Sequence, residues 1–281
     1  MEIRKIGVIG CGIMGSEYVQ VCAQAGYQVL VLELSEAILQ KRIATINSRL
    51  DESPGQDKLS KNEKASIMAR IKGTVDINEF SDCDLIEECA PENMEVKKKL
   101  FGDLDKICPE HTILATNASA LSIIDLARQT TRPEKVIGIH GAPLAVSISE
   151  IVKTVKTSSE TLEICKKLLT SLGLTYIIVP DVPGFMTNRV QMPFMLSAVR
   201  ALEAGISSRD DIDNFFTKGL GYPIGPLAAI DRGGLDTVLF LNAAIYEETK
   251  DPTYAPPVLL KKMVAAGWLG QKTGKGFYDY Q

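Results

Sequence analysis

The chain has 281 residues and a mass of 30.6 kDa, a length that fits one large domain or two domains of ordinary size. Hydrophobic residues make up 45% of it and charged residues 23%, so it can bury a sizeable core and is neither disordered nor fibrous. The formal net charge is −4 and no basic block stands out, so no nucleic acid is expected as a partner. No run of about 18 uncharged apolar residues is present, so no membrane span or membrane partner is expected either.

The cysteines and the beginning of the sequence bear on the cellular compartment. The six cysteines share no Cys-X-X-Cys spacing and are accompanied by only two histidines, so neither a zinc site nor a disulfide framework is expected. The first apolar run, Ile6–Ile9, is too short for a secretory signal and ends in a glycine cluster. We therefore expect a cytoplasmic protein without a metal site.

Short apolar runs alternate with longer amphipathic segments through the first two thirds of the chain. Six runs predict buried strands, namely Ile6–Ile9, Val29–Glu33, Leu85–Glu87, Ile113–Ala115, Val136–Ile139 and Tyr176–Val179. Helical spacing covers Gly15–Ala25, Ser35–Leu50, Lys58–Arg70, Glu92–Ile107 and Glu160–Leu172. This alternation predicts a Rossmann-type α/β domain, a parallel sheet covered by helices on both faces, with a helical pair in its long second crossover.

The composition changes at Pro180–Gly184, where two prolines and a glycine favour an extended linker. Beyond it the strand pattern stops, and helical spacing covers Phe185–Ala204, Arg209–Lys218, Leu235–Thr249 and Pro257–Ala266. We therefore predict two domains, residues 1–183 and a smaller all-helical domain of residues 184–281. A domain of that size is thinly cored, so part of its apolar surface is expected to form a homodimer contact.

The segment from Gly10 to Gly15 matches the GxGxxG pattern between the first predicted strand and the first predicted helix. Gly10 permits a tight turn, Gly12 lets the backbone approach a diphosphate, and Gly15 allows close packing of helix on strand. The helix N-terminus, with Ile13 and Met14 at its start, supplies free N–H groups and a partial positive charge. The segment therefore predicts a dinucleotide-binding turn.

Glu33 ends the second predicted strand, 23 residues after Gly10. A carboxylate at this place accepts hydrogen bonds from the adenosine ribose of NAD and repels a 2′-phosphate. The next basic residue is Lys41, so NAD is expected in preference to NADP. The alternative interpretation of Glu33 is a solvated residue at a strand end.

His140 follows the apolar run Val136–Ile139, at the edge where such sheets bind ligands, and is a candidate general base. The other histidine, His111, lies in a turn between polar residues and is expected to be inert. Glu150 begins the next apolar stretch. If the chain doubles back, its carboxylate can reach the imidazole and fix the tautomer; otherwise Glu150 is an ordinary strand-edge residue.

Eight further segments, in this order, resemble the L-3-hydroxyacyl-CoA dehydrogenase family over essentially the whole chain. They are Asp84–Glu87, Pro91–Asn93, Ala115–Ser119, Arg132–Gly138, Pro183–Arg189, Gly221–Pro226, Gly267–Gly270 and Lys272–Tyr278. Because they span both predicted domains, the set is far more specific than any one motif.

The resemblance implies roles for the residues that match. His140 matches the family's catalytic base and Glu150 its acidic partner, while Ser119 and Asn188 match the polar residues around the 3-oxygen and the thioester of the substrate. Four more residues match the cofactor-binding positions, namely Glu92, Lys97, Asn117 and Lys272. Read locally, the same residues are turn, cap or solvated surface positions, and these alternatives stay open.

The stretch after His140 departs from the family pattern. The family has His-Phe-Phe-Asn-Pro, whereas this chain has Gly141, Ala142 and Pro143 after the histidine, and its segment to Glu150 is two residues shorter. Both aromatic residues and the asparagine are therefore missing. Ala118-Ser119-Ala120 likewise replaces a Thr-Ser-Ser sequence. This combination predicts either an altered choice of substrate or a loss of catalysis.

Three functions remain in view. The first is an NAD-dependent dehydrogenase, an oxidoreductase that interconverts a short 3-hydroxyacyl thioester and its 3-oxo form. The second is a biosynthetic dehydrogenase that oxidises a small hydroxyacyl group on an acyl carrier protein, of the type that supplies polyketide extender units. The third is a non-catalytic NAD-binding protein, which only the shortened loop supports.

Arg49 and Lys58 are candidates to bind a phosphate of coenzyme A or of a phosphopantetheine arm.

Overall fold

The computed structural model describes residues 2–51 and 59–280, which divide into two units, Met1–Asp181 and Val182–Gln281. Lys58, one of the two phosphate-binding candidates, lies outside the described residues. Within the described ranges, no helix is both long and apolar enough to cross a bilayer.

The first unit is built on one eight-stranded sheet with the order β3-β2-β1-β4-β5-β6-β7-β8. Its strands are β1 (Lys5–Ile9), β2 (Gln28–Leu32), β3 (Ile71–Thr74), β4 (Leu85–Glu88), β5 (Ile113–Thr116), β6 (Val136–His140), β7 (Ile148–Lys153) and β8 (Thr175–Pro180). All neighbouring pairs are parallel except β6 and β7, which run antiparallel. The Rossmann-type α/β fold predicted for this part of the chain is confirmed.

Helices connect these strands, and most of them begin at a capping side chain. They are α1 (Ile13–Gln24), α2 (Glu36–Arg49), α3 (Lys61–Met68), α4 (Met94–Ile107), α5 (Ile123–Ala127) and α6 (Ser159–Ser171). Ser35, Ser60, Asn93 and Ser158 accept backbone N–H groups in the first turns of α2, α3, α4 and α6. Helix α1 differs, because Gly12 at its N-cap has no side chain to cap it. Its N-terminal N–H groups are thus left for a ligand.

Three elements of this unit were not predicted, and each has a physical reason. Strand β3 lies at the sheet edge and is only partly apolar, with Lys72 exposed and a glycine at position 73. Strand β7 carries two polar residues, Ser149 and Glu150, whose side chains are buried although they interrupt the apolar pattern. Helix α5 has five residues, too few to show a helical period.

The second unit contains helices α7 (Thr187–Glu203), α8 (Arg209–Asn214), α9 (Pro226–Gly233), α10 (Leu235–Thr249) and α11 (Val258–Ala265). This confirms the predicted helical C-terminal domain. Helix α9 was not predicted from the sequence. Pro226 stands at the first helical position, where its missing N–H leaves no hydrogen bond unmade, and Asp213 accepts the N–H groups of Leu227 and Ala228.

A buried carboxyl, Glu87, lies inside the first unit without a hydrogen-bond partner for its Oε1 among the described residues. It is 2% exposed, and burial raises its pKa well above the ordinary value of 4.5. The neighbouring carboxylate of Glu88 raises the pKa further, whereas Lys97 lowers it. The groups that interact with Glu87 from α1, β4 and α6 are the hydroxyl of Tyr18 and the thiols of Cys22, Cys89 and Cys165. Burial therefore favours the neutral form of the Glu87 carboxyl in the folded chain.

Replacing Glu87 by Gln is expected to remove a pH dependence of stability. Because the folded pKa is raised, the stability linked to this carboxyl is fully present below its ordinary pKa and is lost as the pH rises towards the folded pKa. In that interval each pH unit lowers the free energy of unfolding by about 1.4 kcal/mol. In urea titrations from pH 5 to 8, the free energy of unfolding of the wild type should fall relative to that of Glu87→Gln as the pH rises. Glu95→Gln, at an exposed residue of α4, is the control. If the difference in unfolding free energy between Glu87→Gln and the wild type is the same at every pH, the Glu87 carboxyl is ionised in the folded chain.

Candidate active site

The predicted site residues of the first unit follow the carboxyl ends of parallel strands. The glycine turn follows β1, Glu33 follows β2, Glu92 comes after β4, Ser119 comes after β5, and His140 ends β6. These strands are neighbours in the sheet and point the same way, so their ends share one edge. Residues that are far apart in the sequence are thereby collected into one site.

Ser119, His140 and Glu150 form a hydrogen-bonded relay at this edge. The antiparallel pairing of β6 with β7 sets His140 directly opposite Glu150, and Nδ1 of the imidazole is 2.7 Å from Oε2 of the carboxylate. Nε2 is 3.1 Å from the hydroxyl of Ser119. Because an ionised carboxylate only accepts, Nδ1–H donates to Glu150, and Nε2 is left as the acceptor that faces the serine. The Glu150 side chain is 1% exposed and that of His140 15% exposed, so only the imidazole is open to a reactant.

Glu92 and Asn117 shape the backbone around the relay. Oε1 of Glu92 accepts the N–H groups of Ser119 and Ala120 at 2.8 and 2.9 Å, which fixes the turn that presents the serine. Nδ2 of Asn117 donates to the carbonyls of Ile139 and Gly141 at 2.9 and 3.2 Å, on either side of His140. Both residues thus position the relay, whichever contacts they also make with a cofactor.

Lys97, which the family resemblance assigns to a cofactor contact, is buried among groups of the protein itself. Its side chain is 1% exposed, and Nζ donates to both carboxylate oxygens of Glu88, at 2.7 and 2.8 Å, and to the carbonyl of Ala90 at 3.0 Å. These three contacts use all three ammonium protons. Glu88 is fully buried and also accepts from Thr116 Oγ1 and from the N–H of Ala90. Lys97 therefore holds the backbone just after β4 in place. Glu88, which stabilises this part of the site, was not predicted from the sequence.

The glycine turn fits a dinucleotide diphosphate. Gly10 has a φ of +82°, and a Cβ there would lie 2.9 Å from the carbonyl oxygen of Cys89. A Cβ at Gly15 would lie 1.9 Å from the carbonyl oxygen of Gly10, so helix and strand approach as closely as a Rossmann turn requires. At Gly12 the Cβ position is open, with nothing within 4 Å. Open space beside an uncapped helix end, next to an Ile13 that is 69% exposed, suits a bound phosphate group.

Charges of both signs surround this turn. Oε1 of Glu33 accepts the N–H of Cys11 at 2.7 Å, so the carboxylate lies at the turn as expected for a ribose contact. Arg49 donates to Ser16 Oγ at 3.1 Å and to Gln20 Oε1 at 3.4 Å, which ties it to α1. Burial raises the pKa of the Cys11 thiol to about 12, and Glu33 adds to this, whereas Arg42 and Arg49 oppose it. Arg42 of α2, whose charge acts on Cys11, was not predicted, because its place on a helix reveals nothing of the turn.

The shortened stretch after His140 is tightly packed against β7 at position 141. A Cβ on Gly141 would lie 2.9 Å from Ser149 Oγ and 3.3 Å from Ser149 Cα. A side chain there, such as the aromatic residue that the family carries next to its histidine, would displace Ser149 or the loop. Glycine avoids this contact.

The other two predicted site residues belong to the second unit. Asn188 is the second residue of α7, with a half-buried side chain. Lys272 donates from Nζ to Asp236 Oδ2 at 2.7 Å, and the side chains of both residues are partly exposed. The segment that carries Lys272 is held by Asp231, which accepts the N–H groups of Phe277 and Tyr278.

A serine, an imidazole and a carboxylate in line can move a proton to or from an alcohol. The turn on the same sheet edge can hold the dinucleotide that takes up the hydride. Together they are the two halves of an alcohol oxidation, and they define the class of dinucleotide-dependent oxidoreductases.

Comparison with known proteins gives the family. Residues 5–182 match the NAD-binding domain of 3-hydroxyacyl-CoA dehydrogenase, and residues 184–280 match its C-terminal domain. A probable 3-hydroxybutyryl-CoA dehydrogenase of Bacillus subtilis is 37% identical over 283 residues, covering 100% of this chain and 99% of that protein. The mitochondrial hydroxyacyl-coenzyme A dehydrogenase of Sus scrofa is 37% identical over 290 residues, covering 99% of this chain and 92% of that protein.

Among solved structures, the crystal structure of (S)-3-hydroxybutyryl-CoA dehydrogenase from Ralstonia eutropha superposes with a TM-score of 0.92 at 39% identity, with both chains covered completely. The chain belongs to the 3-hydroxyacyl-CoA dehydrogenase family, and the family resemblance read from its motifs is confirmed. Its class as an NAD-dependent oxidoreductase and NAD as its cofactor are confirmed with it.

Proposed function

We propose that this chain interconverts a short 3-hydroxyacyl thioester and its 3-oxo form. The observation that carries the proposal is the relay of Ser119, His140 and Glu150, with hydrogen bonds of 3.1 and 2.7 Å, in which the imidazole is partly exposed and the carboxylate behind it is buried. A protein that merely bound NAD would have no use for a buried carboxylate behind an accessible imidazole. The relay therefore favours catalysis over the non-catalytic alternative.

In the oxidative direction, His140 Nε2 takes the proton of the 3-hydroxyl group, and the Glu150 carboxylate stabilises the imidazolium that results. Ser119 Oγ lies beside Nε2 and holds the 3-oxygen. When bound, NAD supplies the nicotinamide ring that accepts the hydride from C3. By resemblance to the family, Asn188 assists at the substrate oxygens, Glu92 and Lys272 contact the nicotinamide end, and Asn117 is a further cofactor-binding residue.

Replacing Glu33 is expected to change the preference between the two nicotinamide cofactors. We expect the wild type to bind NADH more tightly than NADPH, because the Glu33 carboxylate repels a 2′-phosphate. Glu33→Ala should reduce the difference between the affinities for NADH and NADPH, since the charges of Arg42 and Arg49 are then no longer opposed by the Glu33 carboxylate. Glu33→Gln is the matched variant, because it removes the charge but keeps an acceptor for the N–H of Cys11. Fluorescence titration with both cofactors measures the effect; a wild type that prefers NADPH refutes the ribose assignment.

The carrier of the acyl group is either coenzyme A or an acyl carrier protein, and we propose coenzyme A first. The names of the relatives support it, whereas the small residues Gly141 and Ala142 favour the carrier protein. They stand where the family has aromatic side chains that would enclose an alkyl chain. Arg49, which remains half-buried beside α1, is a candidate contact for the phosphate that either carrier presents.

A parallel assay decides between the carriers. Oxidation of NADH is followed at fixed enzyme concentration with acetoacetyl-CoA, and oxidation of small hydroxyacyl groups on a carrier protein is followed with NAD. Turnover of the coenzyme A ester supports the main proposal, and turnover on the carrier protein alone supports the biosynthetic alternative. Turnover of neither supports the non-catalytic protein.

We also propose that the chain forms a homodimer through its helical unit. Phe240 of α10 and Trp268 are 44% and 40% exposed, which is unusual for such large apolar side chains and fits a contact between copies. Light scattering on the purified protein measures the mass; that of a monomer at micromolar concentration refutes the dimer.

A further inference from the structure

Two successive residues of α1 hold the segment that carries His140. Oε2 of Glu17 accepts the backbone N–H of Leu144 at 3.0 Å, in the middle of the loop 141–147. The hydroxyl of Tyr18 donates to the carbonyl of Ile139 at 3.3 Å, just before the histidine. Helix α1 therefore contacts the backbone on both sides of His140.

The Glu17 contact stands alone in the middle of the loop. Inside the loop, the N–H groups of Ala145 and Val146 both donate to the carbonyl of Ala142 at 2.9 Å, so that turn is closed by its own backbone. Within the part of the chain that the structure describes, Glu17 makes the one hydrogen bond between the backbone of 142–146 and another element. Leu144 and Val146 are 42% and 51% exposed, so apolar burial holds the loop at Pro143, which is buried, and not at these two residues.

Helix α1 is also the helix that begins at the glycine turn. Ile13 is its first residue, and Glu17 follows one turn later. The same rigid element thus presents its N-terminus to the cofactor diphosphate and its second turn to the loop after His140. The loop it holds is the one that departs from the family pattern in length and in its missing aromatic residues.

We propose that Glu17 is a positioning residue, which holds the loop 141–147 against α1 so that the cofactor-binding turn and the histidine-bearing strand end keep a constant spacing. Its effect on turnover rests on the proposed function, whereas its effect on the loop does not. What the loop requires is an acceptor for the N–H of Leu144. A neutral amide oxygen supplies one, and a methyl group does not.

Hydrogen exchange tests the contact without any substrate. In Glu17→Ala the backbone N–H of Leu144 loses its acceptor, and its exchange should become about ten-fold faster, the loss expected for one hydrogen bond to a charged group. Glu17→Gln should restore most of the protection. Glu163→Ala, which removes an exposed carboxylate from α6, is the control and should leave Leu144 unchanged. Unchanged exchange in Glu17→Ala overturns the proposal.

Steady-state kinetics test the consequence for turnover. Glu17→Ala should lower kcat by about ten-fold, because hydride transfer tolerates little misplacement, and should leave the KM for NADH within about two-fold. Glu17→Gln should recover most of the loss. A residue that only stabilises the fold would lower the melting temperature and leave kcat unchanged, and that result overturns the positioning role. A kcat of Glu17→Gln as low as that of Glu17→Ala also overturns the positioning role, because the charge and not the hydrogen bond would then be required.

The two experiments separate this inference from the proposed function. If the wild type turns over no 3-oxoacyl or 3-hydroxyacyl thioester, the proposed function fails, and the exchange of Leu144 alone decides about the loop contact. If the wild type is active and Glu17→Ala matches it in exchange and in kcat, the inference fails and the proposed function stands.

Discussion

His140→Gln is expected to lower turnover by roughly 10²–10⁴-fold, the usual contribution of a positioned acid–base group. Glutamine keeps a hydrogen-bonding group near Ser119 and Glu150 but has none that exchanges a proton near neutral pH. The affinity for NADH should stay close to that of the wild type, because the cofactor turn lies on β1 and α1 and not on β6. Steady-state rates and a fluorescence titration of NADH measure the two quantities separately.

The chain supplies a matched control in its other histidine. His111 is half-exposed and contacts Asp84 at 3.3 Å, away from the relay, so His111→Gln should turn over like the wild type. Glu150→Gln should also slow the reaction, because it removes the negative charge that faces the imidazolium. Near-normal turnover of His140→Gln would remove the histidine from the mechanism.

Lys97→Met is expected to lower the free energy of unfolding by about 3–5 kcal/mol, the effect of removing one partner from a buried ion pair. The change leaves the Glu88 carboxylate, which is fully buried, without the ammonium group that contacts both of its oxygens. It also frees the carbonyl of Ala90, between Glu88 and Glu92. Urea unfolding followed by circular dichroism measures the loss.

The same helix carries a control for this prediction. Lys98 pairs with Glu95, whose side chain is 84% exposed, and Lys98→Met should change stability by less than about 1 kcal/mol. The double variant Lys97→Met, Glu88→Leu should regain part of the loss, since no buried charge then lacks a partner. Equal stability of the Lys97 and Lys98 variants would show that the buried pair contributes nothing.

Features fixed by local backbone chemistry could be predicted from the sequence. The glycine turn is one, because position 10 requires a positive φ and position 15 has no room for a Cβ. Helix α10 is another. Its predicted bounds, Leu235–Thr249, are those observed, since a periodic apolar pattern begins there directly after a glycine pair.

Features that depend on distant partners could not be predicted. The family resemblance made Lys97 a cofactor contact and the local pattern made it a solvated helix residue, but neither showed its burial against Glu88 and Ala90 at the end of a strand. Whether Glu150 faces His140 stayed open until the antiparallel register of β6 and β7 placed them opposite each other. The contact of Glu17 with Leu144 joins residues 127 positions apart, and no local pattern reports it.

Transfer of deuterium from the cofactor tests the central claim most directly. Purified protein is given acetoacetyl-CoA and NADH that carries deuterium at nicotinamide C4, in separate samples for the two faces of the ring, and the product is analysed by mass spectrometry. With one of the two labelled cofactors, the account predicts 3-hydroxybutyryl-CoA with a single deuterium on C3, formed by the wild type and nearly absent with His140→Gln. A wild type that gives no labelled hydroxy product from either cofactor would contradict the account.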